Sequence, residues 1–213
     1  MKSIIFTLLL LLAGKGEFKI LRNIKTTGIK KMEAEKNNEI AIFAGGCFWC
    51  TEAVFLQLEG VQSVLPGYIG GKNANPAYQE VCSGNTGHAE AVKITFDPQK
   101  ITFEELMDVF FATHDPTTIN RQGADMGSQY RSEIFYTTEI QMLKAKLYIE
   151  SLNEKNLFGK KVVTKISSAT TFYVAEDYHQ NYYNQNKDKS YCSYVITPKI
   201  EKVKKEFKEK LKK

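Results

Sequence analysis

The sequence predicts a globular domain built from both helices and strands, and three patterns indicate it. The stretch IAIFA at 40–44 is apolar at every position, which is typical of a strand covered on both faces. The stretch HAEAVKITF at 88–96 alternates apolar with more polar residues, as a half-buried strand does. The stretch 102–113 instead repeats apolar residues at helical spacing. With 213 residues, 43% of them hydrophobic and 25% charged, the chain is long enough to bury a core of its own.

The helix over 102–113 has a clear start and a clear buried face. Thr102 is followed three residues later by Glu105, which predicts a capping box. Its apolar residues fall at i, i+3, i+4, i+7 and i+8, which predicts packing against the core. These residues are Phe103, Leu106, Met107, Phe110 and Phe111.

Two further helices are predicted towards the C-terminus. One begins at Thr138 and is expected to turn Ile140, Leu143 and Leu147 inward. The other is lysine-rich, has Pro198 at its first position and closes the chain. Its charged residues are expected to form a solvated face.

The N-terminal residues resemble a targeting segment. In 1–16, Lys2 precedes an apolar run that is shorter than the roughly 20 residues needed to span a bilayer. Residues 17–38 lack packing periodicity and predict a linker, so the folded body is expected at 39–198, with the basic helix at 199–213. We therefore expect export to the periplasm or cell envelope. An over-extended start would instead leave the protein in the cytoplasm.

The charge distribution argues against nucleic-acid binding. The formal net charge is +5, but the basic excess lies in the two ends of the chain, and the body between them is mildly acidic. A nucleic-acid interface needs a basic face that carries stacking aromatics, and the body offers none.

The sequence GGCFWC at 45–50 carries the first chemical signal. Cys47 falls at the first turn of a helix predicted to run to about Gly60, where the positive end of the helix dipole should lower the pKa of a thiol. Cys50 lies one turn further along. A zinc site is disfavoured because no second pair of cysteines follows at ligand spacing. Phe48 and Trp49 would obstruct a protein disulfide and suit a small apolar group beside the sulfur, but a redox pair remains open.

A carboxyl and two glycine-rich loops carry the second signal. Side chains alternate between the two faces of a strand, and this alternation puts Glu90 on the same face as the apolar residues of its strand. Glu90 therefore lies either at a solvated strand end or in a desolvated site. Desolvation would raise its pKa and make it a proton donor. The loops place Tyr78, Asp125 and Tyr130 on segments that can bend around a reactive thiol.

Four motifs in order give a family resemblance. GCFW, GHAE, GADMGSQYRS and YVAEDYHQNYY, between about Ile40 and Pro198, resemble the A-type peptide methionine sulfoxide reductases. The resemblance implies an α+β fold, a two-layer α/β sandwich with a ferredoxin-like core and terminal extensions. It also implies an oxidoreductase that reduces methionine-S-sulfoxide, in proteins and as the free amino acid, and so repairs proteins under oxidative stress.

The resemblance also implies catalytic roles for matching residues. Cys47 resembles the nucleophile that attacks the sulfoxide sulfur, and Phe48 and Trp49 resemble the pocket for the substrate methyl group. Glu90 resembles the acid that protonates the departing oxygen.

Three further residues resemble the supporting polar groups of the family site. Tyr78 and Tyr130 match the hydroxyls that hydrogen-bond the departing oxygen. Asp125 matches a polar residue that supports the site.

The resemblance leaves the resolving thiol open. Cys47 would become a sulfenic acid, and a second thiol would condense with it to form a redox-active disulfide. Cys192 matches the tail position of the family and is favoured, while Cys50 is the alternative. A thioredoxin-like dithiol would then reduce the disulfide, with no bound cofactor and no metal.

Two other classes of protein remain at this point. An exported disulfide oxidoreductase would reduce protein disulfides and leave sulfoxides alone. A zinc-stabilised binding module would bind metal stoichiometrically and unfold with a chelator.

Overall fold

A central mixed sheet organises the part of the chain that this computed structural model describes, residues 37–213. The strands are β1 Glu39–Gly45, β2 Val61–Ile69, β3 Ala89–Phe96, β4 Arg121–Gln122, β5 Asp125–Met126, β6 Ser132–Tyr136, β7 Lys165–Ser168 and β8 Tyr173–Val174. The helices are α1 Phe48–Phe55, α2 Tyr78–Cys82, α3 Phe103–Thr113, α4 Glu139–Glu154, α5 Tyr182–Gln185 and α6 Thr197–Glu206. The signal-like segment 1–16 and the linker up to residue 36 lie outside the described residues.

The sheet has a ferredoxin-like core. Six strands lie in the order β7-β6-β1-β3-β2-β8, and β4 and β5 form a separate hairpin. The inner four, β6-β1-β3-β2, are antiparallel to each neighbour and are connected as β1-α1-β2-β3-α3-β6. β7 pairs with β6 in the parallel direction, and the two-residue strand β8 pairs with β2 in the antiparallel direction. The predicted α+β class and ferredoxin-like core are therefore confirmed.

Helices α1 and α3 pack against one face of this sheet and enclose the main core. Phe43 of β1 stacks on Phe110 of α3 with 4.8 Å between ring centroids. Thr102 caps α3 and pairs reciprocally with Glu105, as predicted. Every residue of the predicted apolar face of α3 is buried.

The opposite face of β1 is buried as well. Ile42 and Ala44 pack with Phe135 of β6 under Ala169 and Phe172, which belong to the segment between β7 and β8. β1 is thus covered on both faces, which is what its uninterrupted apolar sequence predicts.

The prediction for the inward face of α4 is wrong. Thr138 does cap the helix, but Ile140, Leu143 and Leu147 are between 55% and 66% exposed. Gln141 is buried instead, because its amide donates to the Ile40 carbonyl at 2.8 Å and its oxygen accepts from the Thr137 N–H. The buried face of α4 is formed by Gln141, Ala145 and Leu152, on the other side from the predicted stripe.

This correction gives a stability prediction. Leu106→Ala, at a fully buried position of α3, is expected to lower the free energy of unfolding by about 2–5 kcal/mol. Leu147→Ala, at a position 66% exposed, is expected to change it by less than about 0.5 kcal/mol. Urea denaturation of the two variants measures both values. A similar loss in Leu147→Ala would show that α4 buries the face predicted from sequence.

Two helix ends also differ from prediction. α1 stops at Phe55 rather than near Gly60, because i to i+3 hydrogen bonds tighten the chain and Leu58 then bridges to Leu211. The C-terminal helix α6 ends at Glu206 and follows a π-helical turn, Cys192–Ile196. Its Ile200 and Val203 are buried in the main core, so α6 is an integral part of this core.

Candidate active site

Cys47 lies at the junction of β1 and α1. It is the N-cap residue of α1, directly after Gly46, whose φ of +95° is favourable only for glycine. Only 8% of Cys47 is exposed. Burial raises the pKa of its thiol well above the ordinary value, and the neighbouring Cys50 thiol raises it further. The prediction of a lowered pKa is therefore wrong, because desolvation outweighs the helix dipole.

Glu90 faces the same junction from β3. It is 1% exposed, and its Oε2 accepts a hydrogen bond from the Phe48 N–H at 3.1 Å. Burial raises its pKa to about 8, although the bond from Phe48 acts in the opposite direction. The carboxyl is thus mainly protonated at pH 7, in the desolvated position that its strand parity allowed.

Two tyrosines close the site opposite α1. Tyr78 is the first residue of α2, and Tyr130 is the last residue of the 3₁₀ turn Ser128–Tyr130. Burial raises the pKa of both hydroxyls, and the nearby Glu90 adds to the rise in each. Both tyrosines therefore remain donors at neutral pH.

Asp125 joins the site through a tyrosine that the sequence did not single out. It lies on β5, and its Oδ2 accepts a hydrogen bond from the Tyr191 hydroxyl at 2.8 Å. The same hydroxyl lies 3.8 Å from the Cys50 sulfur. Tyr191 thus links the β4–β5 hairpin to α1.

The two aromatics of the CFWC motif occupy different environments. Phe48 is fully buried, whereas Trp49 is half-buried and stacks on Tyr182, with 3.7 Å between centroids and 6° between planes. The indole N–H of Trp49 donates to Nδ1 of His179 at 3.1 Å. Burial lowers the pKa of His179, which keeps its ring neutral and Nδ1 available as an acceptor.

The two candidate resolving thiols also differ. Cys50 is 3% exposed, and its pKa is lowered mainly by the neighbouring Cys47 thiol and also by the Lys199 ammonium. Cys192 is fully buried at the start of the π-helical turn, where burial raises its pKa. All four thiols of the chain are free.

The site therefore gathers one buried thiol, one neutral carboxyl and two tyrosine hydroxyls around an aromatic wall. In the described part of the chain, no three His, Cys, Asp or Glu side chains are grouped as a metal site requires. The chemistry available is nucleophilic attack by sulfur with proton donation by the carboxyl.

Comparison with known proteins identifies the family. The model of the family described as peptide methionine sulfoxide reductase matches residues 39–211. The chain belongs to this family. The peptide methionine sulfoxide reductase MsrA of Deinococcus radiodurans is 57% identical over 173 residues, covering 81% of this chain and 84% of the relative. The MsrA of Chromobacterium violaceum is 52% identical over 169 residues, covering 79% and 96%.

Solved structures of family members share the fold. Methionine sulfoxide reductase A of Corynebacterium diphtheriae superposes with a TM-score of 0.68 at 34% identity, covering 72% of this chain and 77% of its own. Reduced Mxr1 of Saccharomyces cerevisiae gives 0.67 at 34% identity, covering 73% and 89%. The chain is thus an oxidoreductase of the peptide methionine sulfoxide reductase family, which repairs oxidised methionine. The zinc-stabilised module and the disulfide oxidoreductase are set aside.

Several residues of this reductase site were not predicted. His179, Tyr182 and Tyr191 lie in or beside the tyrosine-rich motifs, but their contacts with Trp49 and Asp125 join positions far apart in the sequence. Glu52 follows CFWC and Thr51 in a run that is otherwise apolar up to Leu56, and this is a sequence signal for a buried carboxyl.

Proposed function

We propose that this reductase acts on methionine-S-sulfoxide through a sulfenic acid on Cys47. The observation that carries the proposal is the neutral, buried Glu90, which lies beside the same helix start as the Cys47 thiol. Cys47 attacks the sulfoxide sulfur as a thiolate, and a bond between the two sulfurs forms while Glu90 protonates the sulfoxide oxygen. The proton that the Cys47 thiol gives up restores the Glu90 carboxyl. The hydroxyl then passes from the methionine sulfur to the Cys47 sulfur, the bond between the two sulfurs breaks, and methionine departs, leaving Cys47 as a sulfenic acid.

Each remaining residue of the site has a part in this scheme. Glu90 protonates the departing oxygen, and Tyr78 and Tyr130 hydrogen-bond it as negative charge develops. Phe48 and Trp49 form the wall against the substrate methyl group, where apolar burial contributes about 0.8 kcal/mol per carbon. Free methionine-S-sulfoxide and oxidised proteins present the same group to this wall, so we propose both as substrates.

Asp125 supports the scheme from the β4–β5 hairpin. It fixes the Tyr191 hydroxyl next to Cys50, which keeps the second thiol close to Cys47.

We propose Cys50 as the thiol that resolves the sulfenic acid, ahead of the Cys192 that the sequence favoured. The position of Cys50 one turn after Cys47, where its backbone N–H donates to the Cys47 carbonyl at 3.1 Å, and the lowered pKa of Cys50 support this choice. The Cys50 thiolate attacks the Cys47 sulfur, the sulfenic oxygen leaves as water, and a Cys47–Cys50 disulfide forms. Cys192 is available for a second exchange.

A single turnover tests this assignment. The reduced protein is mixed with one equivalent of methionine-S-sulfoxide, quenched with acid and mapped by non-reducing peptide mass spectrometry. We expect a peptide pair that joins Cys47 to Cys50 at the earliest times. Cys50→Ser is expected to release methionine normally and to accumulate either sulfenic acid or a Cys47–Cys192 bond. A first disulfide from Cys47 to Cys192 in the wild-type chain would refute the assignment.

We propose that a thioredoxin-like dithiol closes the cycle. Mxr1, the Saccharomyces cerevisiae relative, is known in complex with Trx2. A small reductant protein can reach the disulfide only if the site opens, because both sulfurs are buried. Coupled oxidation of NADPH through thioredoxin reductase and thioredoxin measures this turnover.

We also propose that the mature protein acts outside the cytoplasm during oxidative stress, on the basis of the signal-like residues 1–16. No helix in residues 37–213 is long and apolar enough to cross a membrane. Cell fractionation with N-terminal sequencing tests the proposal. Recovery of the uncleaved chain from the cytoplasm alone would refute it.

A further inference from the structure

Glu52 is a buried carboxyl that the reaction scheme does not use. It lies on α1, one turn after Trp49, and is only 2% exposed. Burial raises its pKa to about 7, although two backbone hydrogen bonds lower it. Burying a carboxylate is unfavourable unless its hydrogen bonds compensate, so these two bonds define what Glu52 does.

Both hydrogen bonds of Glu52 go to one short segment. Oε1 accepts from the Asn181 N–H at 2.6 Å, and Oε2 accepts from the Tyr182 N–H at 3.3 Å. The partners are about 130 residues away in the sequence, so the carboxyl ties two distant parts of the fold together.

The segment is held in an unfavourable backbone conformation. Asn181 has φ +52° and ψ +36°, in the left-handed region. Asparagine tolerates this region better than most residues, but at a cost that surrounding contacts must offset. The hydrogen bond that the Glu52 carboxyl accepts from the Asn181 N–H is a contact of the kind that can do so.

The same segment places an aromatic ring on the candidate pocket. Tyr182 stacks on Trp49 almost face to face, and His179 accepts the indole N–H of Trp49. Helix α1 therefore contacts residues 179–182 in three ways. The indole ring of Trp49 stacks on Tyr182, the indole N–H donates to His179, and the Glu52 carboxyl accepts from the backbone N–H groups. The first two hold Trp49 itself, and the third holds the backbone that carries Tyr182.

We propose that Glu52 is a positioning residue that keeps Tyr182 stacked on Trp49 and thereby fixes the aromatic wall of the substrate pocket. It acts through the backbone of Asn181 and Tyr182 and does not touch the substrate. The inference rests on the pocket role proposed above for Trp49.

The test uses Glu52→Gln in the full chain, because the amide keeps one acceptor oxygen and brings an NH₂ against the other backbone donor. We expect KM for methionine-S-sulfoxide to rise about tenfold, the effect of one hydrogen bond to a charged group, while kcat changes less than about threefold. Trp49 is the only tryptophan of the chain, so its emission reports the stack directly. We expect the emission to shift and acrylamide quenching to increase. Glu150→Gln, at an exposed position of α4, is the matched control and should change nothing.

A double-mutant cycle separates positioning from general loss of structure. Tyr182→Leu removes the ring, so adding Glu52→Gln to it should raise KM by less than about twofold more if Glu52 acts through Tyr182. A full tenfold increase in that background would overturn the proposal. So would a folded Glu52→Gln protein with unchanged KM or unchanged Trp49 emission.

If Glu52→Gln does not fold, Glu52→Asp serves as the test variant, because it shortens the side chain by one methylene. We expect it to shift the Trp49 emission, and an unchanged emission would overturn the proposal. A wild-type chain without sulfoxide reduction would instead refute the reaction scheme, whatever the fluorescence shows.

Discussion

Cys47→Ser is expected to abolish methionine sulfoxide reduction, with a loss of activity on the order of 10³-fold or more. The serine hydroxyl is a far weaker nucleophile at neutral pH than a thiol and cannot carry the oxygen away as a sulfenic acid. The measurement is methionine released from methionine-S-sulfoxide with a chemical dithiol as reductant. This removes any dependence on a protein partner.

Two controls accompany Cys47→Ser. Circular dichroism should show an unchanged fold, because Cys47 is an N-cap without a side-chain capping bond. Cys192→Ser should keep the first turnover intact, since Cys192 does not attack the substrate in the scheme. Activity of Cys47→Ser above the reagent background would eliminate Cys47 as the nucleophile.

Glu90 gives the second large effect. Glu90→Ala is expected to lower kcat by about 10²-fold or more, the usual contribution of a general acid. Glu90→Gln is expected to stay within about tenfold of the wild type, because its amide still donates a hydrogen bond to the departing oxygen. Initial rates of methionine release compare the two variants. Equal damage in both would show that a titrating proton at this position is indispensable.

The pH profile gives Glu90 a separate signature. The carboxyl is a proton donor only below its pKa of about 8, so activity is lost as pH rises through about 8. Glu90→Gln does not titrate, and its kcat/KM should lack this alkaline decline. A decline at the same pH in Glu90→Gln would assign the titration to another group.

The local patterns of the sequence predicted the elements that local interactions define. The capping box at Thr102 and the apolar face that ends at Phe111 fix α3 from consecutive residues alone. β1 is uniformly apolar because it is central in the sheet and covered on both faces. These features need no knowledge of distant parts of the chain.

Two of the wrong predictions depend on contacts between distant residues. The apolar stripe of Ile140, Leu143 and Leu147 has helical spacing, but the hydrogen bonds of Gln141 to Ile40 and Thr137 decide which side faces the sheet. The helix dipole at Cys47 is a local effect, whereas the burial that raises its pKa comes from the whole fold.

In the candidate site too, the sequence predicted individual residues but not the contacts between distant ones. The family resemblance supplied Cys47, Glu90, Tyr78, Tyr130 and Asp125, and the structure brings these residues into one neighbourhood. No sequence pattern connects Glu52 to Asn181 or Tyr191 to Asp125, so these links appear only in three dimensions.

The central claim is that the substrate oxygen is transferred to the Cys47 sulfur. The most direct test uses a chain in which Cys50, Cys82 and Cys192 are all replaced by serine, so that Cys47 is the only thiol left. One equivalent of methionine-S-sulfoxide is added without reductant, and dimedone traps any sulfenic acid. The scheme predicts one methionine and one dimedone adduct on Cys47 per chain. Methionine formed in that amount without an adduct on Cys47 would contradict it.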